Sequence, residues 1–196
     1  MRMKFLILIL LLLTSIPTEA APMIDKHARV AVMDFEPHEG TSDYSFDLLN
    51  AEKASNDYVI ERLFDNGYFQ IVDKDLMHEK LGDLNINGII DAATAKEIGK
   101  ILDVEYIIYG NVISIVAENS LTEAYLSVRI MDVSNGRILM ASKGRGQSRS
   151  SSGVDLLIFR IGTIEATQQS VHNALQKATY QATDILIDRL FNQKHK

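Results

Sequence analysis

Residues 124–133 and 137–142 both alternate apolar with polar side chains, and Ser134-Asn135-Gly136 lies between them. A period of two sends successive side chains to opposite faces of a strand. An Asn-Gly pair tolerates the positive φ that a two-residue hairpin turn demands. The pattern predicts an antiparallel hairpin covered on one face, which rules out an all-helical chain.

The segments before it extend that hairpin into an α/β sheet. Arg29-Val30-Ala31-Val32-Met33-Asp34-Phe35 is apolar nearly throughout, as expected of a strand covered on both faces. Residues 36–45, with Pro37 and Gly40, read as a polar loop. Ala51, Ala54, Tyr58 and Leu63 then recur at helical spacing, and Asn66-Gly67 supplies a helix stop before a second strand over 68–72. Asp73 caps a short helix ending at Leu81, and residues 82–88 form a turn-rich connection. Asp91 caps the next helix, where Ala95, Ile98, Gly99 and Leu102 share one face. The β-rich segment 104–115 is predicted to be the central strand, with Gly110-Asn111 marking a bulge or a close backbone approach. Residues 144–153 read as a hydrophilic loop of small residues. A closing helix runs from Thr163 to Phe191 with Val171, Leu175, Ala178, Ala182, Ile185 and Arg189 near one stripe. Its length suggests that part of it packs on a partner subunit, making the chain a homo-oligomer. The fold class is thus α/β, a mixed β-sheet of about five strands with helices packed on it.

At the start, Met1-Arg2-Met3-Lys4 is basic and residues 5–13 are uninterruptedly apolar. That run is far short of the roughly 20 residues a membrane helix needs. With Pro17 and the small residues of Thr18-Glu19-Ala20 after it, the segment reads as a secretory signal peptide cleaved after Ala20. The expectation is a signal peptide at 1–20 and a single domain at 21–196, exported to the periplasm and without a membrane span once cleaved. The chain has no cysteine, which excludes disulfides, cysteine-bound zinc, a thiol nucleophile and a lipidated N-terminal cysteine. Its formal net charge of −6 argues against nucleic acid as a partner, since phosphate contacts need clustered Lys and Arg.

Chemistry-bearing motifs are few. Residues 83–91, from Asp83 through Gly88 to Asp91, match the first nine positions of a calcium loop, but Thr94 stands where a bidentate acid belongs. The competing reading is a helix-connecting turn capped by Asp91. His78-Glu79-Lys80-Leu81-Gly82 begins like a zinc-protease helix and lacks the second histidine, and histidines 27, 38, 78, 172 and 195 have no ligand spacing. Gly144-Arg145-Gly146-Gln147-Ser148-Arg149 starts like a dinucleotide fingerprint and fails at the third glycine. Lys143, Arg145, Arg149 and the serines from Ser148 to Ser152 read either as a small anion-binding patch or as a solvated loop. No catalytic, cofactor-binding or metal residue is assigned, no cofactor is expected, and the chain is read as non-enzymatic.

The order of four segments resembles the family of the curli production assembly/transport component CsgG. They are Val30 to Phe35, the unit from Leu63-Phe64 to Ile71-Val72, residues 95–100 leading into 104–112, and the hairpin over 128–139. The resemblance covers most of residues 29–142 and, more loosely, the closing helix. It implies a periplasmic α/β domain with a mixed sheet, and a part in secretion of an amyloid fibre subunit at the outer envelope. It also implies ring assembly, β-hairpins lent to a membrane barrel, and a lipidated N-terminal cysteine. This chain has no cysteine to lipidate. Its segments available for barrel strands, 118–123 and 143–153, are short and polar, whereas a lipid-facing strand needs about 9 to 11 residues of alternating apolarity. The implied role is assembly or transport by a soluble relative with envelope or secretion-machinery partners. Two other readings stand beside it: an adaptor docking on another envelope protein, such as a cell-wall synthase, through residues 36–50 or 143–153, and a calcium-responsive domain.

Overall fold

The computed structural model describes residues 24–37, 48–82, 90–118, 120–149 and 168–191. In chain order the elements are β1 (Ala28–Val32), β2 (Glu36–Pro37), α1 (Leu48–Asn66), β3 (Phe69–Ile71), α2 (Lys74–Leu81), α3 (Ala92–Leu102), β4 (Tyr106–Glu118), β5 (Leu121–Asp132), β6 (Arg137–Arg149) and α4 (Gln168–Phe191). The five main strands lie in the order β3-β1-β4-β5-β6, with the short β2 beside β4. β1 pairs in parallel with β3 and β4, while β4–β5 and β5–β6 are antiparallel. The sheet is therefore mixed, and β4 is central, as the sequence predicts. The polar loop expected from residue 36 instead begins with two residues paired to Asn111 and Val112 of β4.

Helices cover the two sheet faces unequally. On one face, Val30, Val32, Ile108, Leu126, Val128 and Ile130 pack with Val59 and Leu63 of α1 and with Leu175, Ala178, Leu186 and Leu190 of α4. On the other, Ala31, Met33, Ile107 and Met131 pack with Met77 and Leu81 of α2 and with Ala95, Ile98 and Leu102 of α3. The stripe predicted for α3 is buried in full. The second core stops near the middle of β4, so among the described residues the outer half of the β4–β5–β6 meander has a helix on one side only.

Both predicted helix caps form. Asp73 Oδ1 accepts from the N–H groups of Asp75 and Leu76 at 3.0 Å each, and Asp91 Oδ1 accepts from Thr94 N–H at 2.8 Å. Without the Asp73 carboxylate, two N–H groups of the first turn of α2 lose their acceptor. Asp73→Ala is therefore expected to cost about 1 kcal/mol, read by urea unfolding as a lower midpoint at constant slope.

Three expectations need correction. The hairpin connection is four residues long, because Asp132 pairs with Arg137 and Gly136 N–H donates to the Asp132 carbonyl at 2.8 Å. Its cause is the Asp132 carboxylate, which accepts from Ser134 N–H (2.8 Å), Ser134 Oγ (2.6 Å) and Asn135 Nδ2 (2.8 Å), folding the turn around itself. Of the Asn-Gly pair only Gly136 has a positive φ, +70°. Second, residues 144–149 are the outer half of β6 and no loop: Gly144, Gly146 and Ser148 face α4, and the residues between them are exposed. Third, the buried stripe of α4 passes through Val171, Ala174, Ala178, Ala182, Leu186 and Leu190, leaving Ile185 half-buried and Arg189 exposed. The described part of α4 packs along its length on its own sheet and on α1. Thr163 lies outside the described residues.

Candidate docking face

Pairing register fixes what stands on the bare side of the meander. The even-numbered residues Ala124, Leu126, Val128 and Ile130 of β5 point into the core under α4, so Glu123, Tyr125, Ser127 and Arg129 point the other way. Tyr125 lies opposite Arg145, Ser127 opposite Lys143, and Glu123 opposite Gln147. β4 adds Tyr109, opposite Arg129, and Asn111, opposite Ser127. At Val112/Ser114 the register shifts, a bulge beside the close approach at Gly110, where a side chain would meet the Phe35 ring and the Ser127 carbonyl. Among the described residues, no helix packs on this face beyond the rim of α3.

The face is polar, aromatic and positive. Arg145 donates to Glu123 Oε1 at 2.7 Å, and its guanidinium lies 5.5 Å from the centre of the Tyr125 ring. Tyr125 Oη donates to Glu123 Oε2 at 2.8 Å, and Gln147 also donates to Glu123. Arg129 stands 5.9 Å over the Tyr109 ring, and Ser127 donates to Asn111. The Arg145 hydrogen bond, then that of Tyr125, holds the Glu123 carboxyl below its ordinary range. The same Glu123 contact pushes the Tyr125 phenol up. Glu123 therefore stays ionised and fixes one arginine, while Lys143 and Arg149 are exposed on the same face.

Two side chains of α4 guard the free edge of β6. Gln181 Oε1 accepts from Arg145 N–H at 2.7 Å, and Lys177 Nζ donates to the Gln147 carbonyl at 3.0 Å. An exposed edge invites strand pairing, and occupying its outward groups discourages it. The face, more than the edge, is what remains available.

A second concavity of about 550 Å³ opens where β1 ends, lined by Asp34, Phe35, Glu52, Asp57, Lys74 and His78 among others. Its central cation is already shared, since Lys74 Nζ lies 3.3 Å from Asp57 and 3.7 Å from Asp34 and donates to Asn56 Oδ1 at 3.1 Å. Asn56, fully buried, donates onward to the Met33 carbonyl at 2.8 Å, so the cluster ties α1 and α2 to the end of β1.

The calcium-loop residues 83–89 lie outside the described residues, and Asp91 is engaged as the cap of α3. Among the described residues no three acidic or histidine side chains group as metal ligands. His78 lies in the last turn of α2, which is followed by Gly82 and no second histidine. His27 and His172 are exposed on different elements, while His38 and His195 lie outside the described residues. Of the residues proposed for an anion patch, Lys143, Arg145 and Arg149 share one face of β6, Ser148 lies on its other face, and residues 150–152 lie outside the described residues. Sequence reading missed the partners of that row: Tyr109, Tyr125 and Arg129. Their signal was the alternation of β5, which named the covered face and, by complement, the bare one.

The model of a family described as peptidoglycan-synthase activator LpoB matches residues 45–145, just over half of the chain. This chain belongs to the LpoB family. The LpoB match ends within β6, and the model described as curli production assembly/transport component CsgG matches residues 113–196, from β4 through α4. The CsgG resemblance read from the sequence is thus met over the C-terminal part, while the larger share of the chain falls to LpoB. Among solved structures, the hypothetical protein CT253 from Chlamydia trachomatis superposes with a TM-score of 0.52 at 10% identity, covering 84% of this chain and 98% of that one. The LpoB C-terminal domain from Escherichia coli gives 0.49 at 17% identity, covering 65% and 87%. The PelC dodecamer from Paraburkholderia phytofirmans gives 0.47 at 13%, covering 88% and 94%. The likeness to CT253 shows the fold. No curated protein matches the chain. Among the described residues no helix is long and apolar enough to cross a membrane.

Proposed function

We propose that this chain is a non-enzymatic envelope adaptor that docks on a peptidoglycan synthase and stimulates it, after export to the periplasm. The observation that carries the reading is the LpoB family match over 45–145, which contains most of the bare meander face. A face of fixed aromatics and guanidiniums is suited to recognising a protein surface, because Tyr and Arg give large contact area at low ordering cost. Among the described residues of the face, the carboxylate of Glu123 is tied to Arg145 and Tyr125, and no nucleophile stands beside a base.

The test is reconstitution. Adding the purified chain to a purified synthase from the same cell is expected to raise the rate of glycan polymerisation several-fold and saturably. An unchanged rate at a tenfold molar excess, against every synthase of that cell, removes the reading. The CsgG match over 113–196 supports a second reading, a part in envelope assembly and transport. Ion conductance by the purified chain in lipid bilayers would favour that one.

A further inference from the structure

The cations of β6 form a regular row. Lys143, Arg145 and Arg149 occupy alternate positions on one face of a single strand, with Gln147 filling the gap. Alternate residues of a strand are spaced about 7 Å apart, so the row presents positive charge at about 0, 7 and 20 Å along one line. Arg129 on β5 adds a fourth cation beside it, stacked over Tyr109. Among the described side chains the face sets one acid, Glu123, against these four cations, in a chain whose formal net charge is −6. Such segregation is costly to solubility-neutral charge mixing and points to a partner of opposite sign.

We propose that this row binds an acidic extended segment of a partner protein, one whose Asp or Glu side chains alternate along a strand and meet Lys143, Arg145 and Arg149 in register. This deepens the adaptor reading and rests on it for the partner's identity. A protein segment fits better than an anionic lipid surface for two reasons visible in the geometry. The guanidiniums of Arg145 and Arg129 are held in place by Glu123 and by the Tyr125 and Tyr109 rings, so they offer planar forks that match carboxylates. The apolar side chains exposed on this face, Val116 opposite Glu123 and Ile138 opposite Met131, stand apart at its two ends and form no continuous patch to enter a bilayer, and its two tyrosine rings lie under the guanidiniums.

The probe is a fluorescent ten-residue peptide with glutamate at every second position, tested against its glutamine counterpart and against vesicles rich in phosphatidylglycerol. The full chain is expected to bind the glutamate peptide at least tenfold more tightly than the glutamine one, with affinity falling as salt rises from 50 to 500 mM. The combined variant Lys143→Ala, Arg145→Ala, Arg149→Ala is expected to lose at least tenfold of that affinity. All three side chains are exposed, so thermal unfolding should confirm that the variant folds. Equal binding of both peptides, undiminished binding by the variant, or tight binding to the vesicles alone overturns the proposal. The same variant is assayed with the synthase. If the wild-type chain stimulates and the variant stimulates equally, the row is not the docking element while the adaptor reading stands. If the wild-type chain does not stimulate, the adaptor reading falls, and the peptide comparison still decides the row.

Discussion

Replacing Gly144 and Gly146 together by alanine is expected to destabilise the protein by on the order of 4 kcal/mol and lower its Tm by about 10 °C. A methyl group on Gly144 would sit 1.8 Å from the carbonyl oxygen of Ala178, and one on Gly146 would sit 1.9 Å from that of Ala174. These obstacles are helix backbone, so no side-chain rotation relieves them; α4 itself must lift from the sheet. Glycine to alanine normally gains about 0.4 to 1 kcal/mol through the unfolded chain, but only where the native conformation accepts the methyl. Here the clash outweighs that gain at both positions. Scanning calorimetry reads the effect, with Lys143→Ala as the neighbouring exposed control expected to stay within about 0.5 kcal/mol of wild type. A double variant melting within a degree or two of wild type would refute the close contact between β6 and α4.

The same two glycines explain why the outer half of β6 escaped sequence reading. Its alternation is present, with Ser142, Gly144, Gly146 and Ser148 on one side and Lys143, Arg145, Gln147 and Arg149 on the other. The covered side carries almost no hydrophobic signal, because a helix backbone at contact distance leaves room only for hydrogens and hydroxyls. Glycine and serine are the residues of a turn, and they are also the residues of a strand pressed against a helix. By contrast, β1, β4, β5 and α3 were legible because their contacts are made by large apolar side chains whose period is visible. In the turn at 133–136, the Asn-Gly signal located the connection and missed its length, since the Asp132 carboxylate set the geometry.

The candidate face was only half legible for a related reason. Lys143, Arg145 and Arg149 drew notice as a cluster in sequence, whereas Arg129, Tyr109 and Tyr125 join them only through strand register. A residue on β4 and one on β6 reach the same face because β5 stands between them, and no local spacing reports that. Among the described residues, α4 covers the small side of β6, and Lys143, Arg145 and Arg149 stand exposed on the other side.

Ile108→Ala is expected to cost about 2 to 5 kcal/mol and to lower Tm by about 5 to 15 °C. Ile108 is fully buried on the central strand, lies between Val32 of β1 and Ile130 of β5, and belongs to the core under α1 and α4. Its truncation leaves a cavity where helices from two directions meet, so collapse from one side is blocked by the other. Ile108→Val, which removes a single methylene, should cost about 0.5 to 1.5 kcal/mol, and the half-exposed Ile138 should tolerate alanine at less than about 1 kcal/mol. The side chain of Ile108 points away from the docking face. With a typical margin of about 5 to 15 kcal/mol, most molecules of the Ile108→Ala variant remain folded at 25 °C. Stimulation of a synthase per folded molecule should then be unchanged, while the Lys143, Arg145 and Arg149 variant shows the reverse, an unaltered Tm with lost docking. Measuring both quantities on both variants separates the core that builds the face from the charges that use it, and loss of stimulation by folded Ile108→Ala protein would place the docking surface on the helical side of the sheet.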